Sequence, residues 1–221
     1  MRLIRRRART PAAERFAAAR WPPANLPWRR AQWCVIDLEL TGLHADGEII
    51  AIGAVPIRDG ALILGEALYA LARPERPPMR EAVLVHKLRL ADLSEAPPLD
   101  DAIEALLDLL ASRVPVFHTS MVERAFLGRE LRERGLRLPA DADTEELGRR
   151  WLRERDGRAP NGLPLARLAS LLGQPAEDPH HALGDALTTA KAFIALASLL
   201  DARSPQTVGS LRSVEGLPRS R

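Results

Sequence analysis

Asp37 and Glu39 stand two residues apart in "VIDLELTG" (35–42), an otherwise apolar run that begins near Trp33 and reads as a buried strand. Residues i and i+2 of a strand leave the same face, so the two carboxylates share one patch. Buried and unpaired, they would cost several kcal/mol. A hard divalent cation would relieve their repulsion, and so would the wet face of an edge strand. A D-x-E pattern by itself favours the wet edge strand, since short motifs match by chance, and the apolar runs "WCVI" before and "LTGL" after weaken that reading. Two later segments carry matching chemistry. "FHTSMVERAFL" (117–127) places Glu123 on a helix after a strand, and "HHALGDALTTA" (180–190) places Asp185 on the last helix, five residues after His180. Each acid alone suits a solvated helix face. Acids from a first strand, a middle helix and a last helix, with one histidine, are a set that chance rarely assembles.

The elements that must position these groups follow from periodicity. Strand-like stretches cover 33–40, about 48–57 and about 61–72, with "RDG" (58–60) as a hairpin turn. A proline-rich loop leads to short helical pieces around 80–93. From Leu99 the apolar spacing becomes helical, "VPVFH" (114–118) is a short strand, and a helix from about Ser120 to Arg134 is stopped by Gly135. Asp143 caps "DTEELGRRWLRE", with Glu146 three residues on completing a capping box. Pro164 begins another helix that ends at Gly173, and a long one runs from about His181 to Leu200. Meander strands followed by strand–helix units predict one α/β domain with a mixed sheet over 31–201.

Composition sets the outer bounds. The 221 residues are 46% hydrophobic and 28% charged, as expected of one soluble domain with tails. We expect no apolar run near the ~18–20 residues of a membrane span, no signal peptide, and a cytoplasmic setting. Cys34, the single cysteine, reads as a buried thiol. Residues 1–30 form a basic, proline-containing N-terminal arm with nine Arg against Glu14, extended over 20–30 with Trp21 and Trp28 docked on the body. Residues 202–221 form a polar, basic C-terminal tail. The body between them carries 19 basic and 27 acidic residues. A basic arm on an acidic body suits nucleic acid, while only two Lys among 32 basic residues equally suits a GC-rich coding bias.

The order D-x-E, then H-x-x-x-x-[acid]-x-x-F-L, then H-x-A-x-x-D-A resembles the DEDDh 3′–5′ exonucleases, which include the proofreading epsilon subunit of bacterial DNA polymerase III and its stand-alone relatives. The likeness runs from about Trp33 to Leu200 and takes in "DTEEL" (143–147) and "VHKLRLADL" (85–93). It implies a ribonuclease H-like fold, a five-stranded mixed sheet with three antiparallel strands and then two more, flanked by helices. It also implies two Mg²⁺ ions, replaceable by Mn²⁺, held by Asp37, Glu39, Glu123 and Asp185. His180 would be the general base, a role that suits an imidazole. Leu40, Thr41, Leu43 and His86 match positions around the terminal nucleotide, Leu40 through its backbone and Leu43 as a wedge between bases. The chain departs from the family pattern at Glu123, where Asp is usual, at Thr119 and Ser120, where Asn and Ala are common, and at Leu40, where Thr is usual.

The activity expected is metal-dependent release of nucleoside monophosphates from single-stranded or frayed DNA 3′ ends. The alternatives are an end-binding module of the same fold whose Glu123 has cost it turnover, and an RNA 3′ exonuclease. The expected partner is therefore a nucleic acid 3′ end and no membrane. A polymerase partner is compatible with the sequence but not indicated by it.

Overall fold

Strand β1 (Trp33–Leu40) is the middle of the sheet, as its near-continuous apolar character requires. The computed structural model describes residues 10–213, so the front of the basic arm (1–9) and the end of the tail (214–221) lie outside the described residues. β1 pairs antiparallel with β2 (Ile49–Arg58) and parallel with β5 (Val114–Phe117), which pairs parallel with β6 (Ala142–Asp143). On its other edge β2 carries β3 (Ala61–Leu62) and β4 (Leu68–Leu71). The hairpin at 58–60 forms as expected, with Asp59 and Gly60 both at positive φ (53° and 74°) in the two-residue turn that suits strand twist. The single strand expected over 61–72 is corrected. A 3-10 turn at Leu64–Glu66, with Leu64 exposed, breaks it into β3 and β4, so six strands fill five lateral positions.

Alternation along β1 divides the core. Cys34, Ile36, Leu38 and Leu40 pack with α1 (Pro11–Ala18), α4 (Leu99–Leu110) and α5 (Met121–Glu133). Trp33 and Val35 pack with α6 (Thr144–Asp156) and α8 (Ala182–Asp201), and Asp37 and Glu39 continue that face. Gly53 sits opposite Asp37 in register, and a Cβ there would overlap the Ala182 carbonyl. Glycine thus lets the first turn of α8, with Asp185, settle directly on the sheet. By length and composition α8 qualifies as a membrane span, which corrects the expectation that no run does; 56% of that apolar window is buried inside the fold. Burial also pushes the Cys34 thiol up to about 12.

The core reaches beyond 31 and 201. Thr10 caps α1, accepting the Ala13 amide at 3.2 Å, and Ala12, Ala13 and Phe16 are buried. The Arg15 guanidinium donates to Asp108 on α4 at 2.9 and 2.8 Å. Trp28 is buried edge-on to Phe193, and Trp21 packs edge-on to Phe16. Past α8, helix α9 (Val208–Leu211) buries Val208 and Leu211. The remaining helices α2 (Arg80–His86), α3 (Leu90–Leu93) and α7 (Leu165–Leu171) match the sequence expectations.

Candidate active site

The carboxyl ends of the parallel strands β1 and β5 face the first turns of α5 and α8, the usual place for a site in a sheet of this kind. Asp37, Glu39 and Asp185 each bring a carboxylate oxygen within 4.8 Å of the others. Burial, followed by repulsion from Glu39, Glu123 and Asp185, pushes the Asp37 carboxyl well above the usual range. Burial, then Asp185 and Glu123, pushes Glu39 up to about 7. Asp185 is raised by burial too, opposed by the His180 amide, which donates to its Oδ2 at 2.9 Å.

Glu123 lies in the first turn of α5, outside the cluster of three but within its field. It raises both Asp37 and Glu39. Its Oε2 is buried without a partner among the described residues. Burial pushes Glu123 to about 7; its own backbone amide acts the other way, and Asp143 adds to the rise. Among the described residues no Lys or Arg side chain pairs with any of the four acids. A hollow of this kind fits hard divalent cations, which prefer oxygen ligands.

His180 is exposed and held at φ 61° by the turn into α8. The next residue, His181, caps α8 through Nδ1, which accepts the Gly184 amide at 3.4 Å, and it stacks on Tyr69 with centroids 4.4 Å apart. Sequence reasoning missed Tyr69. The signal available was its place as the single tyrosine on the strand after "RDG". It sits across β2 from Asp37, with Gly53 between them, and after burial the charge of Glu39 raises its pKa.

The four positions assigned to the terminal nucleotide fall at the β1–β2 turn and on α2. Leu40 is buried at a register shift in β1. The Thr41 hydroxyl accepts the Glu48 amide at 2.9 Å and its carbonyl accepts the Met79 amide at 2.9 Å, so Thr41 ties the turn to the start of α2. His86 is buried, with Nδ1 accepting the Leu88 amide at 3.0 Å. Burial pushes its pKa down while the Leu40 backbone pulls it up. Leu43 is 78% exposed.

A second group of polar residues centres on Asp143. The buried Asp143 carboxylate accepts the amides of Glu145 (2.8 Å) and Glu146 (3.4 Å), so it caps α6 as expected. It also accepts those of Thr119 (3.1 Å) and Ser120 (2.8 Å), which fixes the start of α5. The expected capping box is corrected. Among the described residues Glu146 returns no bond, and Glu145 instead receives the Thr119 hydroxyl at 2.8 Å and the Leu163 amide at 3.3 Å. Thr119 has φ 60°, an uncomfortable value for a β-branched residue and an easier one for asparagine. The Thr144 hydroxyl donates to the Phe117 carbonyl at 3.1 Å, which leaves its oxygen to accept from His118 Nδ1 at 2.9 Å.

Comparison with known proteins agrees with this geometry. The profile of a family described as Exonuclease (RNase T) matches residues 34–193. A protein of Rhodobacter capsulatus named DNA polymerase III subunit epsilon-like protein is 31% identical over 192 residues, 85% of this chain and 27% of its own length. The chain thus spans about a quarter of that relative. Among solved structures, exonuclease X in complex with 5′ overhanging duplex DNA superposes with a TM-score of 0.58, at 24% identity over 81% of this chain and 97% of that one. The nuclease domain of 3′hExo, a DEDDh family member bound to rAMP, gives 0.63 at 18% identity over 82% and 98%.

Proposed function

The chain belongs to the exonuclease family, and on that premise we propose that it hydrolyses single-stranded or frayed DNA from the 3′ end, releasing nucleoside monophosphates with two Mg²⁺ or Mn²⁺ ions. The observation that carries this reading is the convergence of Asp37, Glu39 and Asp185 within 4.8 Å, with Glu123 beside them. When bound, divalent cations neutralise the phosphodiester oxygens and acidify the attacking water. Asp37, Glu39 and Asp185 would hold them, and the unpartnered Oε2 of Glu123 would be a further ligand atom. His180 takes the proton of the attacking water. Its exposure keeps the imidazole accessible, and the hydrogen bond from its backbone amide to Asp185 Oδ2 ties the base to the acids. Leu43, unpacked at the rim, suits a wedge against the terminal base, and His86 with the Leu40 backbone lines the pocket behind it.

The choice of DNA follows the epsilon-like relative. Digestion of a 5′-labelled single strand with Mg²⁺, Mn²⁺ or EDTA tests the reading, beside an RNA strand of the same sequence. We expect a ladder shortening from the 3′ end with either metal, none in EDTA, and faster loss of DNA. A faster RNA ladder would reassign the substrate. No ladder with either metal would leave only an end-binding module.

A further inference from the structure

The His180 imidazole needs an aim, and its own ring does not receive one. A general base is commonly oriented by a third group hydrogen-bonded to it. Among the described residues no hydrogen bond reaches the His180 ring; the one bond made by this residue's amide goes to Asp185. Placement of the base is therefore left to the backbone. That backbone sits at φ 61°, in the left-handed region that a residue with a Cβ enters at a cost, so its surroundings must hold it there.

Three contacts hold the turn. The His180 amide donates to Asp185 Oδ2 at 2.9 Å. Before it, Asp178 lies against Gly184, where a Cβ would overlap the Asp178 carbonyl. After it, His181 accepts the Gly184 amide and stacks on Tyr69, with ring centroids 4.4 Å apart and planes 28° apart. The first two contacts are made with α8, and the third is made with the sheet. Tyr69 on β4 is opposite Gly53, which is opposite Asp37, so Tyr69 and Asp37 stand in one row on one face. Its neighbours Leu68 and Ala70 pack into the core on the other face. Tyr69 itself stays 37% exposed, so filling the core does not account for it.

We propose that Tyr69 is a positioning residue: through its stack on His181 it fixes the turn into α8 and so aims the His180 imidazole at the attacking water. The inference rests on the reading of His180 as the base that takes the proton of that water. Proton transfer requires the base within about 3 Å of the atom it deprotonates, and a turn free to rock on α8 would not keep an exposed ring at that distance.

The test is steady-state cleavage of a 5′-labelled single strand by the full chain at saturating Mn²⁺, counted per folded molecule. Tyr69→Val keeps a strand-forming residue and removes the ring. Its kcat should fall about tenfold, with KM and the calorimetric Mn²⁺ affinity as in the parent. Tyr69→Leu repeats the removal should the valine variant fail to fold. Tyr69→Phe keeps the stack and should restore the parent kcat. In a His180→Ala background Tyr69→Val should cost nothing further, because a group that acts through the base has no effect once the base is gone.

An equal loss in Tyr69→Phe would give the phenol hydroxyl a direct contact with substrate. A raised KM would make the ring part of the binding surface, and a further loss in the His180→Ala background would make it a structural residue. Each of these overturns the proposal, as does a silent Tyr69→Val. The same assay separates the two readings. A parent ladder that His180→Ala weakens and Tyr69→Val leaves intact ends the positioning role alone. A ladder indifferent to His180→Ala, or no ladder, ends the role of the base and the inference with it.

Discussion

Asp141 and Asp143 lie deeper than Glu39 and Glu123, at 0% and 1% exposure against 9% for each of the latter, yet they are far better satisfied. Asp143 receives four backbone amides and Asp141 a two-pronged guanidinium. In the neighbouring cluster, Asp37, Glu39, Glu123 and Asp185 repel one another, and among the described residues only the His180 amide is donated to them from outside their own residues. Burial alone therefore does not mark a functional acid. A buried carboxylate with donors fastens elements together; one without donors must find its compensation in something bound.

The largest effect should come from emptying the unsatisfied group. Asp37→Ala and Asp185→Ala should each lower turnover at least ~10³-fold, or about 4 kcal/mol, and leave the metal-free melting temperature unchanged or higher. Unfolding by circular dichroism would break the comparison. Glu123→Gln should cost about 3 kcal/mol in turnover, while Glu123→Asp stays within roughly tenfold of the parent. Titrating turnover against Mn²⁺ for both variants sharpens the comparison, and a silent Gln variant would move Glu123 out of the site. Asp143→Ala should act in the opposite sense, losing about 2–3 kcal/mol of stability by denaturant unfolding while turnover per folded molecule falls much less than in Asp37→Ala.

A further effect is on stability against pH. Glu39 and Glu123 have folded pKa values of about 7, above their unfolded values, so the folded state binds more protons between the two. Metal-free stability should fall as pH rises from the ordinary carboxylate range to about 7, and saturating Mn²⁺ should offset the fall. Melting curves in EDTA across that window check the sign. A rise would contradict it.

Much of this contrast was legible in the sequence, because strand period 2 put Asp37 and Glu39 on one face and their apolar neighbours made that face expensive. The same reasoning found Asp143 as a cap, since an acid before a helix is a local signal. It could not find the Thr119 and Ser120 amides that complete its shell, because those contacts span more than 20 residues. The broken third strand was hidden by an apolar run whose Leu64 turns outward. Helix α1 was read as part of an arm because its buried face is mostly alanine, although Thr10 and Pro11 are ordinary helix-start residues. Tyr69 and Gly53 gained meaning only from register, which sequence alone does not provide.

The measurement that reaches the central claim most directly is calorimetric titration of Mn²⁺ into the full chain, repeated in two buffers of different ionisation heat. If the unpaired acids are the metal site, binding at pH of about 6 must displace protons from Glu39 and its neighbours, and the release must decline as pH passes about 7. Asp37→Asn and Asp185→Asn should weaken binding sharply, while Asp143→Asn should not. Mn²⁺ binding without proton release, and equally tight in Asp37→Asn, would place the metal elsewhere and contradict the account.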